Sequence, residues 1–242
     1  MKKIIKKLLK IILSPFILND YFKFKKEDDK RFILKINDFY PKIRDKTSQT
    51  KFDNHYVYHT SWAARKLREI RPEKHIDISS SLYFCGIASA FVPMDFYDYR
   101  PANLKLSNLN SKKGDLNNLP FDSGSCESIS CMHTVEHIGL GRYGDKINSK
   151  GDLLAMHELS RVVKKGGYLI FVVPIGKPKI EFNAHRIYSY DQVLSYFEKF
   201  HLEEFSLVTD SGNFIENANP QLVLDQNYGC GMFLFKKIHD NN

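Results

Sequence analysis

No apolar run in this sequence approaches the ~20 residues that a membrane-spanning helix needs. Cysteine is scarce: Cys85, Cys126, Cys131 and Cys230 are the four in 242 residues, with no CxxC pair and no zinc-ribbon spacing. A chain of this length needs no disulfide framework, so the expectation is reduced thiols in a cytoplasmic protein. Internal repeats and low-complexity segments are also lacking. Net charge is missing from most of the chain. Of the formal net +8, residues 1–37 carry +7, with eleven Lys or Arg against four acids. The remaining body is nearly neutral, which argues against a phosphate-tracking surface and against nucleic acid as a partner.

What the beginning does have is MKKIIKKLLKIILSPFIL, with Lys2, Lys3, Lys6, Lys7 and Lys10 on one helical face and Ile4, Ile5, Leu8, Leu9, Ile11 and Ile12 on the other. The lysines interrupt any signal-peptide core and no A-x-A follows. The spacing predicts a basic amphipathic helix over residues 1–18, ended near Pro15. It lies on an anionic inner membrane face or docks on its own domain with its lysines in water. Residues 19–58 are charged and aromatic without a clear period and are expected to form a connector, leaving 59–242 as the main domain.

In that domain TSWAARKLREIRP predicts a helix capped by Thr60 and stopped before Pro72. The chain then alternates. KHIDIS, FVPMDFYDY and SCESISCMH predict strands, with LYFCGIASAF an apolar continuation of the first. DLLAMHELSRVV predicts a helix closed by KKGG, YLIFVVP a buried strand, YSYDQVLSYFEKF a helix, and EEFSLVTD and GCGMFLFKKI two more strands. This is an α/β pattern with a mostly parallel sheet and helices on both faces. Ligands of such sheets sit at the carboxyl ends of the strands near the topological switch point. The residues just past each strand are therefore the candidates: Asp77 and Ser79, Ser80 and Ser81; Asp98; Asp115; and HTVEH.

HTVEH, residues 133–137, admits two chemistries. As H-x-x-E-H it matches a zinc-protease signature, but that pair must share one face of a helix. Here ESISCM before it has the pattern of a strand, and Gly139 and Gly141 follow. The expectation is a strand end at the mouth of a cofactor cleft, with no metal site.

The order of motifs resembles a class I S-adenosylmethionine-dependent methyltransferase of the type 11 small-molecule group. GDLNNLPFDSGSCESISCMHTVEHI, HELSRVVKKGGYLIFVVP and HRIYSYDQVLSYFEKFHLEEFSL are similar to that family's central and later segments, and the likeness spans about residues 74–238. The chain also resembles a bacterial family of unknown function that carries HTVEHIGLGRYGD. The resemblance implies a Rossmann-like, doubly wound, seven-stranded sheet with an N-terminal helical extension, and S-adenosylmethionine as cofactor.

Carried over by position, it implies that Asp77 and Ser79–Ser81 face the methionine moiety. Asp98, with Asp95 as the register alternative, binds ribose, and Asp115 with Leu116 holds adenine. His133, Glu136 and His137 supply catalysis, a histidine acting as base and Glu136 orienting its ring. Arg142, Tyr143 and Asp145 in the glycine loop, and Asn183, His185, Arg186 and Tyr188 after the fifth strand, contact substrate. Asp191 supports a helix start.

The family's glycine-rich first loop is replaced by serines, whose Cβ disfavours positive φ, so that turn is expected to be built differently or opened wider. The implied reaction is methyl transfer to a hydroxyl or amine of a small polar acceptor, a sugar of surface-polysaccharide synthesis being the concrete case. The rivals are a non-catalytic protein of the same fold serving glycan assembly, and a zinc hydrolase using HTVEH.

Overall fold

The computed structural model describes residues 15–43 and 45–239. They divide into two compact units at Phe52/Asp53. The first contains helix α1 (Pro15–Glu27) and a 3₁₀ turn at Ile36–Asp38, with the Tyr21 ring edge-on to Phe39 at 5.7 Å. Residues 1–14 of the expected amphipathic helix, and with them where it ends, lie outside the described residues; Pro15 is the first described residue of α1. Among the described residues no helix is long and apolar enough to cross a membrane.

The second unit opens with α2 (Asn54–Ile70), which begins six residues before the expected Thr60. Asp53 is its cap, the carboxylate accepting the Tyr56 N–H at 3.1 Å. Arg71, in left-handed conformation ahead of Pro72, ends it. Then follow β1 (His75–Ile78), α3 (Leu82–Ala88), β2 (Met94–Asp98), β3 (Leu109–Lys113), β4 (Cys126–Met132), α4 (Gly151–Val162) and β5 (Val163–Ile175). The chain continues through β6 (Lys179–Glu181), β7 (His185–Ile187), α5 (Tyr190–Tyr196), β8 (Phe200–Val208), β9 (Phe214–Ile215) and β10 (Gly229–Lys237).

The main sheet has the order β3-β2-β1-β4-β5-β10-β8-β9, eight strands rather than seven; the extra one is β9, a two-residue edge strand on β8. The first five strands are parallel and β10 is antiparallel to both β5 and β8. Helices cover both faces: Trp62, Ala63 and Leu67 of α2 pack with Phe84, Cys85 and Ala88 of α3 on one side, and Ala155, Met156, Leu159 and Val162 of α4 with Val193 of α5 on the other. The switch in strand order falls between β1 and β4, so a crevice must open at their carboxyl ends.

LYFCGIA is a helix and not a continuation of β1. Its packed residues, Phe84, Cys85 and Ala88, follow helical spacing, but Leu82, Tyr83 and Ile87 on the outer face are apolar too, which conceals the period. The KKGG segment, expected as a turn, lies within β5, whose pairing with β4 shifts register there.

One buried cation closes the sheet against α4. Lys237, 2% exposed, donates from Nζ to the carbonyls of Ser160 and Val163, each at 2.7 Å. These acceptors sit at the helix's carboxyl end, where carbonyls lack helical partners and a positive charge is favoured. Lys237→Met keeps the apolar stem and removes both bonds, so it should destabilise the protein by about 2 kcal/mol in urea unfolding. An unchanged midpoint would mean that water satisfies the carbonyls.

Candidate active-site cleft

The crevice at the switch point is a cleft of about 1140 Å³. Its floor is the turn from β1 into α3. Ser79 adopts the left-handed conformation itself, at φ 55°. Its N–H donates to Tyr97 O at 2.8 Å, and its carbonyl accepts the Thr134 hydroxyl at 3.0 Å. Ser79 thus takes the conformation expected of glycine, held by bonds to β2 and to the segment after β4. Ser79, Ser80 and Ser81 line the cleft.

Asp77 does not face the cleft. It is fully buried beneath the turn, accepting the Ser80 N–H at 3.0 Å and the Ser130 hydroxyl. Burial pushes its carboxyl up to about 6. His75, two residues earlier on the same strand face, is held between the hydroxyls of Ser128 and Ser130, each at 2.8 Å. Asp77 therefore shapes the loop rather than contacting a ligand.

Asp98 ends β2 on the cleft wall, and one of its oxygens accepts the Arg100 N–H at 2.7 Å. Asp95, the register alternative, is tied to Lys74, Lys112 and Asn110 at 2.7–2.9 Å and lies outside the cleft lining. Asp115 and Leu116 line the same wall; Asp115 uses one oxygen to accept the Asn117 N–H at 2.9 Å.

The opposite wall is built from HTVEH. His133 leaves β4 at φ 53°, and Val135–His137 form one 3₁₀ turn. Glu136 is 1% exposed, with Oε1 2.9 Å from His133 Nδ1 and 3.8 Å from His137 Nε2; its Oε2 has no partner among the described residues. Burial raises its carboxyl to about 7. Burial also lowers His133 to about 4 and depresses His137. His137 Nδ1 lies 2.6 Å from Ala184 O, so that nitrogen carries the proton and Nε2 the lone pair. His133 Nε2 lies 3.4 Å from Cys230 Sγ. The zinc-protease reading fails here, because His133 precedes the 3₁₀ turn that carries Glu136 and His137, so the two histidines share no helix face.

The glycine loop forms the rim. Asp145 accepts the N–H groups of Gly139, Gly141 and Tyr143 at 2.7, 3.3 and 3.3 Å, so its carboxylate is occupied in folding the loop, although the residue borders the cleft. Gly139, at φ 80°, admits no side chain, since a Cβ would stand 2.0 Å from Asn148 O. Tyr143 lies under two guanidiniums, Arg100 at 4.9 Å and Arg142 at 5.1 Å. Arg142 also donates to Ala184 O at 3.0 Å.

His185 lines the cleft beside Tyr228, but Arg186 and Tyr188 do not. Arg186 is buried, donating to Ile138 O at 2.7 Å, and Tyr188 donates its buried hydroxyl to Asp152 at 3.0 Å. Arg186 thus supports the start of the loop from behind, and Tyr188 ties β7's exit to α4. Asn183 is exposed and outside the lining, while Asp191 lies in the first turn of α5 behind a Ser189–Gln192 capping box.

Several lining residues were not expected: Asp53, Asn54, His55 and Tyr56 at the start of α2, and Tyr228 ahead of β10. The His55 ring lies between His133 at 5.8 Å and Tyr228 at 5.2 Å, nearly parallel to both. The stretch NHYVYH directly after Asp53, rich in rings behind a capping acid, was the available signal.

This architecture is shared with solved structures, methyltransferases among them. The N-methyltransferase NodS from Bradyrhizobium japonicum WM9, in complex with S-adenosyl-l-homocysteine, matches with a TM-score of 0.56 at 10% identity, over 77% of this chain and 88% of that one. A chain from the complex between the Haloferax volcanii Trm112 methyltransferase activator and a methyltransferase matches with a TM-score of 0.53 at 16% identity, over 78% and 92%. YcgJ from Bacillus subtilis gives 0.52 at 14%, over 76% and 99%. A family model described as Caenorhabditis protein of unknown function, DUF268, matches residues 117–217, which include HTVEH and the glycine loop. Comparison with curated protein sequences gives no match. The second unit has the class I methyltransferase fold.

Proposed function

We propose that the protein transfers a methyl group from S-adenosylmethionine to a hydroxyl or amine of a small polar acceptor of the sugar class. The observation that carries this reading is the partition of one switch-point cleft into a wall of paired strand-end carboxylates and a wall of buried titratable groups. The first wall fits the cofactor. Asp98 and Asp115 each engage one oxygen with their own turn and leave the other without a hydrogen bond among the described residues. Ribose hydroxyls and an adenine amino group need such acceptors, and Leu116 adds an apolar surface. Bound there, the cofactor would supply a methyl group activated by a sulfonium.

The chain's own work is then to hold the acceptor and take its proton. Arg142, Tyr143, His185 and Tyr228 offer donors and ring faces for a hydroxylated acceptor. Glu136 is the preferred base. Both nitrogens of His133 are engaged, whereas Glu136 Oε2 is unpartnered, with an affinity for protons matched to neutral pH. His137, fixed in one tautomer with its Nε2 lone pair 3.8 Å from Glu136 Oε1, stands where it would favour the carboxyl once it has taken the proton. The basic charge of residues 1–37 supports a setting next to the membrane, such as surface-polysaccharide synthesis. Ser79 in the glycine conformation supports the catalytic reading over a non-catalytic protein of the same fold.

The test is calorimetric titration with S-adenosylhomocysteine. Binding should be insensitive to chelator and weaken about 30-fold in Asp98→Ala, the effect of losing about 2 kcal/mol of charge-assisted hydrogen bonding. No binding by the wild type would refute the reading.

A further inference from the structure

One cluster on the cleft wall has no part in methyl transfer as proposed. The ligand-capable atoms of His55, His133 and Cys230 all lie within 4.8 Å of one another. His55 comes from the first turn of α2, His133 from the end of β4 and Cys230 from the start of β10, and these three elements of one compact unit converge on a single point.

The separations suit one tetrahedral ion. With Zn–N near 2.05 Å and Zn–S near 2.3 Å, an imidazole nitrogen and a thiolate sulfur on the same ion stand about 3.5 Å apart; His133 Nε2 and Cys230 Sγ are 3.4 Å apart. Two imidazoles on one such ion have ring centres about 5 Å apart, against 5.8 Å for His55 and His133. The ligand atoms, up to 4.8 Å apart, have to close by about 1.4 Å, and the His55 ring, stacked nearly parallel to His133, has to turn so that its in-plane lone pair points at the ion; a change of side-chain torsion at His55 supplies both movements.

Two further observations point to a cation. The first is the support of His133: its Nδ1 is held at 2.9 Å by the buried Glu136 carboxylate, which leaves the Nε2 lone pair facing Cys230. A carboxylate behind a ligating imidazole is the usual outer-shell arrangement of zinc histidines. The second is unmet polarity. Of the four buried side-chain polar atoms without a hydrogen-bond partner among the described residues, Glu136 Oε2 and His59 Nε2 belong to groups in contact with His133.

We propose that His55, His133 and Cys230 form a three-ligand site for zinc, with its fourth position open to the cleft. Two imidazoles and a thiolate are a borderline-soft set that favours zinc over magnesium or calcium. His55 and His133 line the cleft, so an ion between them is accessible to a bound molecule, and three protein ligands with an open position is the arrangement of reactive zinc. An ion there would polarise an acceptor oxygen. Only that last role rests on the methyl-transfer reading; the site itself does not.

The full chain, stripped with chelator, is titrated with Zn²⁺ against a chromogenic competitor and, separately, with Co²⁺ followed by absorbance. One equivalent should bind, with a thiolate-to-cobalt charge-transfer band that disappears in Cys230→Ser. Zinc affinity should fall more than 100-fold in His55→Ala and in Cys230→Ser, about 10- to 100-fold in Glu136→Gln, and stay unchanged in His137→Ala. Circular dichroism of each variant identifies any loss due to unfolding, and His55→Ala, at a half-exposed helix start, keeps the test alive should Cys230→Ser misfold. Absence of stoichiometric binding would overturn the proposal and leave an S–H to imidazole hydrogen bond. Binding that survives His55→Ala and Cys230→Ser but is lost in His137→Ala would equally overturn it.

Discussion

Glu136→Gln should lower the methyl-transfer turnover by about 10²- to 10³-fold while leaving S-adenosylhomocysteine affinity nearly unchanged. The amide is the same size and can still accept the His133 Nδ1–H, so the local geometry has no reason to collapse. What it cannot do is take a proton at the position of Oε2, the carboxylate oxygen that no described residue satisfies. The wild-type turnover should rise with pH through about 7, following ionisation of Glu136, and that limb should be absent from whatever activity the variant retains. A variant that turns over at the wild-type rate would transfer the role to His137. A variant that loses cofactor affinity as well would make Glu136 a structural residue.

How far the site was legible depended on whether its parts were contiguous. HTVEH stands in one run, and Asp98 and Asp115 each follow or flank a segment with a strand pattern, so their placement on a common cleft follows from sheet topology alone. Arg186 and Tyr188 belong to the same stretch as His185, but β7 is a three-residue ribbon with little alternation to show which residues turn inward. Asp77 sits where a ligand-facing acid is expected, yet a serine in the left-handed turn brings the Ser80 N–H back onto it. β3 was hidden because LNSKK buries only Leu109, as a polar edge strand does. The start of α2 was invisible for another reason. His55 and Cys230 are 175 positions apart and meet only because α2 packs over the end of β10, a contact that no local pattern announces. The proposed zinc site is for that reason a product of the tertiary structure.

The same buried carboxylate should cost stability at neutral pH. Glu136 has an ordinary value near 4.5 when exposed and about 7 in the folded protein, because burial outweighs the opposing influence of His137, His185 and Arg142. Below pH 4.5 it is protonated in both states and carries no penalty. As pH rises from 4.5 to 7 the unfolded chain loses this proton while the folded chain keeps it, so stability declines across that window by about 3 kcal/mol. Buried and half-buried histidines act with the opposite sign. His55, His59, His75 and His133 are held neutral, with values lowered to about 3–4, so they remove stability as pH falls below about 6.5. Comparing Glu136→Gln with wild type cancels most of those contributions and isolates the carboxylate. In urea unfolding with chelator present, the variant's advantage should grow by about 3 kcal/mol between pH 4.5 and pH 8, then level off. A difference that stays flat with pH would mean that water or a rearranged partner solvates Glu136 in the folded state. The comparison repeated with saturating Zn²⁺ bears on the metal site independently of turnover: a cation at His55, His133 and Cys230 would stabilise the ionised carboxylate, and the variant's advantage at pH 8 should then shrink or reverse.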